Sequence, residues 1–272
     1  MKNKNLKILV GIEIGLIVCL CLCGIGGVVY YSGNLQTTAA GGQPPTQPVT
    51  QPVAAATAIP LPTETPVPVL LGTELERLPD GAKFTDLDGG YEMSIPAGWL
   101  AVRPDNKDEI NAVLVGEGAK NQMLFDQLVS DRDAYEEKID RLFIYPIRPD
   151  LQENVIFGFS KLVWQEPDTQ AIDNATMGRL VRELESSGSL PGFRATTSRI
   201  IQNGNGVSVM VIKGRFSISD GQGGSIPFVT TLAFFKPSLT SIVRITFTFM
   251  QDFDEQISPD VNAMIESIRL TK

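Results

Sequence analysis

The sequence contains no histidine, and its three cysteines, Cys19, Cys21 and Cys23, all fall in one apolar run near the N-terminus. Everything after that run therefore lacks imidazole bases, thiol nucleophiles, disulfides and soft zinc ligands. Chemistry, if there is any, is left to carboxylates, lysine, tyrosine and hydroxyl groups. Basic residues are also scarce relative to acidic ones, 23 against 31, for a net charge of -8. Lys2, Lys4, Lys7 and Glu13 leave the N-terminal segment at +2, which puts -10 on the remainder. A surface of that sign repels phosphate backbones, so no nucleic-acid partner is expected.

The longest feature present is the stretch from Ile8 to Tyr31, 24 residues with Glu13 as its single charge. About 20 apolar residues suffice for a helix to cross a bilayer. Lysines precede the run and no basic residue follows it until Arg77. The bias of positive charge predicts a cytoplasmic N-terminus (residues 1–7), a transmembrane anchor (8–31) and an extracytoplasmic remainder. A secretory h-region is shorter and ends in small residues, while Val18, Leu20 and Leu22 precede the three cysteines where a lipidation site wants a small residue. An uncleaved single-pass anchor in the cell membrane is therefore favoured over cleavage or lipidation. Gly11, Gly15, Cys19, Cys23 and Gly27 recur every fourth position and form one ridge of small residues. Such ridges let membrane helices approach closely, which makes a homodimer through this helix a reasonable expectation.

Residues 32–70 form a linker. Its core, from Thr37 to Leu70, is rich in Pro, Thr, Ala, Gln and Val and carries one charge, Glu64. Such a chain favours extended polyproline-like conformations and reaches about 100 Å, at about 3.1 Å per residue.

From residue 71 to 272 the composition turns globular, and no internal repeat is visible. Strand patterns run over Val207–Ile212, Pro227–Phe235 and Ser241–Phe249, separated by turn residues that imply an antiparallel meander. Phe143–Tyr145 and Asn154–Trp164 add further strands. Helical spacing predicts helices over Gln122–Leu142 and Asp173–Ser187. A last helix follows Ser258-Pro259-Asp260, with Val261, Met264, Ile265 and Ile268 on its apolar face. The fold class is α+β, an antiparallel β-sheet with flanking helices.

A hairpin at Asp88-Gly89-Gly90, a strand from Tyr91 to Ile95 and the corner Pro96-Ala97-Gly98-Trp99 resemble the opening of the Mog1/PsbP-like domains. The late meander and the closing Met264-Ile265-Glu266-Ser267-Ile268 resemble their end. The resemblance covers less than half of the domain and implies an α/β/α sandwich. It also implies a mostly non-enzymatic family, with photosystem-associated proteins, a binder of a small GTPase and bacterial envelope lipoproteins among its members. No shared catalytic residue comes with it. Read physically, proline stops the sheet, glycine bends the chain and the indole covers the open end of the core.

Candidate sites are weak. Asp133 with Glu137, and Glu136 with Asp140, are spaced one helical turn apart, but Arg132, Lys138 and Arg141 are interleaved as on an ordinary solvated face. Asp105-Asn106-Lys107-Asp108-Glu109 lacks the spacing of a calcium loop and reads as a helix start. Gly221-Gln222-Gly223-Gly224 reads as a hairpin turn rather than a phosphate loop. Asn174-Ala175-Thr176 fits a glycosylation pattern by coincidence, and no nucleophile elbow is present. No catalytic, metal or cofactor residues are assigned. The expectation is a membrane-anchored, non-enzymatic binding or assembly domain with an unidentified protein partner. The alternatives are a domain holding a small molecule or lipid in an apolar pocket and, more remotely, a carboxylate- or metal-dependent hydrolase.

Overall fold

The computed structural model describes residues 72–147, 158–166, 168, 170–219 and 223–271. The expected anchor, its expected small-residue ridge and the expected linker lie outside the described residues. Among the described residues no helix is long and apolar enough to cross a membrane.

Two antiparallel sheets organise the domain. The smaller runs in the order β1-β2-β3-β11, with β1 (Thr73–Leu78), β2 (Gly81–Asp86), β3 (Tyr91–Pro96) and β11 (Arg269–Leu270). The larger has seven strands in the order β4-β5-β6-β10-β9-β8-β7. These are β4 (Trp99–Val102), β5 (Asp140–Pro146), β6 (Gly158–Gln165), β7 (Arg194–Gln202), β8 (Ser208–Ser219), β9 (Ser225–Phe235) and β10 (Ile242–Met250). Four α-helices accompany them, α1 (Lys107–Val113), α2 (Gln122–Asp133), α3 (Asn174–Ser186) and α4 (Asp254–Ser267).

The corner Pro96-Ala97-Gly98-Trp99 is where the chain leaves one sheet and enters the other. Pro96 ends β3 and Trp99 opens β4. Gly98 makes the change of direction at φ +81°, a conformation that a residue with a Cβ adopts only under strain. Trp99 is buried and belongs to the core between the sheets, as expected of it.

Strand β10 shows how one sequence pattern serves two faces. Val243, Ile245, Phe247 and Phe249 point into a core shared with Met93 and Ile95 of β3 and with Ile257, Val261, Met264 and Ile265 of α4. The alternate residues face the helical side, where Leu100, Val102 and Phe143 meet Ile110, Leu114, Leu124 and Leu128, and Met210 and Ile212 meet Leu180 and Leu184. Period-2 alternation thus separates two hydrophobic cores across one sheet.

The antiparallel α+β class and the late meander agree with expectation. The layering is different from the simple sandwich, because helices α1 to α3 cover one face while the small sheet together with α4 covers the other. The helix expected over Gln122–Leu142 ends at Asp133. Lys138 takes φ +68°, and Leu142 enters β5, so its helical spacing from Leu128 and Tyr135 was a coincidence of period. The last helix starts at Asp254, with Pro259 inside it rather than at its first position. So near the N-terminus a proline removes one helical bond, which the buried face of α4 offsets. The β7 strand was not anticipated, since its sequence RATTSRIIQ is mostly polar and mostly exposed.

Candidate functional site

Beta-strand β5 carries an irregularity between Asp140 and Leu142 in its pairing with β6. Arg141 is the extra residue, and the bulge aims its side chain into the region between the two sheets. The guanidinium carbon lies 4.5 Å from the centroid of the Trp164 ring. Its Nε is 3.4 Å from Asp86 Oδ2, and its Nη1 is 3.5 Å from Asp88 Oδ2. Asp86 ends β2 and Asp88 lies in the turn that leads to β3, where the Asp86 Oδ1 also accepts from the Gly89 amide at 2.8 Å. The second, Asp88, accepts from the Gly72 amide at 3.1 Å. Burial raises the Asp86 pKa against the pull of Arg141, and burial beside Asp86 pushes the Tyr91 phenol well above its ordinary range.

A second, partly buried polar group lies on the helical side. Asp131 of α2 accepts from the Tyr145 hydroxyl at 2.5 Å and from Gln127 at 2.9 Å. Removal from water raises its pKa to about 6 in spite of those two bonds and the nearby Lys161. Lys161 itself pairs with Asp140 at 2.7 Å, and Asp140 also accepts from the Glu136 amide at 2.9 Å. Neighbouring β10 presents Arg244, Thr246 and Thr248 to this side, all buried, and the Thr248 hydroxyl lies 3.0 Å from that of Thr230.

At the other end of the inter-sheet core, Lys213 Nζ lies 2.6 Å from Asp254 Oδ1 and 3.0 Å from Ser258 Oγ. The Ser258 hydroxyl donates to the same carboxylate at 2.6 Å. A serine beside a lysine is reminiscent of a nucleophile with its base, but that chemistry needs a neutral amine. Here Lys213 is instead held in an ion pair with Asp254.

The carboxylates singled out by spacing do not form a site. Asp133 is paired with Arg132 at 2.8 Å near the surface, Glu137 lies beyond the helix, and Asp140 belongs to β5. Asn106 caps α1 by accepting from the Glu109 amide at 3.1 Å, the expected role of that acidic stretch. Asp173 likewise caps α3 through the Thr176 amide at 2.7 Å. Ser219 and Ser225 pair across the glycine-rich turn, whose residues 220–222 lie outside the described residues. Sequence reasoning missed Asp131, although it shares a helical face with Leu124 and Leu128, and a carboxylate on an apolar face is itself a signal. Arg141 offered no such sign, because a bulge depends on the partner strand.

No protein-family model and no curated protein matches the chain. Several solved structures are similar. The cyanobacterial PsbP (CyanoP) of Synechocystis sp. PCC 6803 aligns at 10% identity and a TM-score of 0.41, over 78% of this chain and 99% of that one. LpqN of Mycobacterium tuberculosis, described as involved in cell envelope biogenesis, aligns at 10% identity and a TM-score of 0.41, over 74% and 91%. The Ran-binding protein Mog1p of Saccharomyces cerevisiae aligns at 9% identity and a TM-score of 0.42, over 71% and 96%. The similar structures thus include proteins named PsbP and Mog1, the two names of the family that the sequence resembles.

Proposed function

We propose that this protein is a single-pass membrane protein whose C-terminal domain stands outside the cytoplasm as a non-enzymatic binding or assembly module for a protein partner. Its anchor is the run from Ile8 to Tyr31, and the proline-rich linker holds the domain clear of the lipid. The observation that supports a binding role is strand β7. It is nine residues long, lies at the edge of the seven-stranded sheet and pairs only with β8. Its outer side offers a row of backbone donors and acceptors, the template used in strand addition. Thr196, Thr197, Ser198 and Arg199 are exposed along it with no proline or acid among them, although at the start of the strand Glu185 of α3 already accepts from the Ala195 amide at 3.2 Å. The partner is accordingly a protein with an extended segment, and the acidic surface elsewhere discourages nucleic acid. A closed apolar ligand pocket on the helical side has less support, because the centre of that sheet face carries Arg244, Thr246 and Thr248.

Photocrosslinkers at Ser198 and Arg199 of the full-length protein in its native membrane test the reading, with Arg182 of α3 as the control. One protein captured from the β7 positions and not from α3 supports strand addition. Saturable hydrolysis of a substrate by the purified protein, lost on substituting Lys213 or Asp254, would overturn the non-enzymatic reading.

A further inference from the structure

The inter-sheet cluster around Arg141 leaves buried polar atoms without hydrogen-bond partners among the described residues. They are Asp86 Oδ2, Arg141 Nε and Nη2, Trp164 Nε1 and Thr73 Oγ1, while the Tyr91 hydroxyl is directed at the Asp86 carboxylate. Asp86 and Tyr91 are fully buried, Arg141 is 6% exposed and Thr73 is 8% exposed. Native proteins rarely leave such atoms unsatisfied, and here they fall together. Thr73 sits opposite Asp86 in the pairing of β1 with β2, and Tyr91 sits opposite Asp86 in the pairing of β2 with β3.

The separations are those of groups held apart. The ion pairs of 3.4 and 3.5 Å are longer than charge-assisted hydrogen bonds, which close to about 2.7–2.9 Å. Nothing flexible explains the gap. Asp86 is tied to the Gly89 amide and Asp88 to the Gly72 amide, while the guanidinium rests on the Trp164 ring. A donor and an acceptor fixed slightly too far apart, with further donors around them, suit a small molecule able both to donate and to accept.

We propose that the cluster of Thr73, Asp86, Arg141 and Trp164 is a binding site for ordered internal water, which bridges the Arg141 guanidinium to the Asp86 carboxylate, the Thr73 hydroxyl and the Trp164 indole. A buried water makes about three hydrogen bonds, so the number of unsatisfied atoms calls for about two molecules. Anions are disfavoured by the two carboxylates, and apolar ligands by the charges of Asp86, Asp88 and Arg141. The water joins the small sheet to the large one at the turn to which Gly72, the first described residue of the domain, is bonded.

Two measurements test this on the full-length protein in detergent. With the indole nitrogens labelled, the chain gives two tryptophan signals, from Trp99 and Trp164, which Trp164→Phe assigns. The Trp164 indole proton should show a direct Overhauser contact to a long-lived water. The second measurement is the thermal midpoint of Thr73→Val, which removes a buried hydroxyl and keeps the shape of the side chain. Loss of a hydroxyl bonded to water should lower it by about 2–4 °C, whereas loss of an unsatisfied buried hydroxyl should raise it. A raised midpoint, or no water contact at Trp164, overturns the proposal.

Discussion

The Trp99 indole donates its Nε1–H to Asp260 Oδ2 at 2.8 Å, linking the first strand of the large sheet to helix α4, far along the chain. One side chain therefore closes the core where the chain changes sheets and also fixes the helix that covers that core. Replacing Trp99 by phenylalanine removes both the bond and part of the buried ring. The expected loss is about 2–3 kcal/mol in denaturant unfolding, larger than a core trim of similar volume would give without the bond. A loss below about 0.5 kcal/mol, the level of an ordinary surface substitution, would show that the corner is not held by this contact.

A second long-range tie runs through Asn203 in the turn between β7 and β8. Its amide nitrogen donates to the Ile265 and Ile268 carbonyls at 3.2 and 2.8 Å, capping the end of α4. Its carbonyl oxygen accepts from the Val207 and Asn205 amides at 2.9 and 3.1 Å. Asn203→Ala leaves buried groups on both sides without partners, at an expected cost of about 2–3 kcal/mol. Hydrogen exchange should quicken first at amides near Ile265 to Ile268 and in the β7–β8 turn. Uniform quickening across the domain would instead mean that Asn203 acts on global stability alone.

For the proposed anchor the small-residue ridge makes a separate prediction. Gly15→Leu and Cys19→Leu place bulk where two helices would meet, and the dimer fraction in a membrane self-association assay should fall several-fold. Leucine at Ile14, off the ridge, serves as the control. Equal association by all three variants would remove the ridge from the account.

The parts of this fold legible in the sequence are those whose own residues decide them. Strands β8 to β10 announced themselves by β-branched and aromatic runs, and α3 by its cap at Asp173 and its face of Leu180 and Leu184. Strand β7 did not, because an exposed edge needs no apolar pattern, and its Thr-Thr-Ser-Arg stretch reads as loop. The boundary between α2 and β5 was hidden for a different reason: Leu142 continues the helical spacing but is claimed by the large sheet. The inter-sheet cluster was least legible, since Asp86, Tyr91, Arg141 and Trp164 come from four strands, and a bulge brings Arg141 to the others.

Asp131 makes the sharpest prediction about pH. Its carboxyl has a pKa of about 6 in the fold against 3.8 for an ordinary aspartate, chiefly because it is buried. The groups facing it are Gln127 from its own helix, Tyr145 and Asp140 from β5 and Lys161 from β6. Because the folded state holds the proton more tightly than the unfolded chain, Asp131 favours the fold fully below pH 3.8. That contribution is lost as pH rises through about 6, with a total on the order of 3 kcal/mol. Asp131→Asn stays neutral, still accepts from Tyr145, and can be met by Gln127 with its amide turned. The variant should therefore equal the parent near pH 4 and exceed it in stability by about 1–3 kcal/mol at pH 8, where the parent must bury a charge. Denaturant midpoints measured from pH 4 to 8 decide the matter. Parallel curves for the two proteins would mean that Asp131 is ionised at neutral pH without cost, and that Lys161 compensates it more strongly than its pairing with Asp140 suggests.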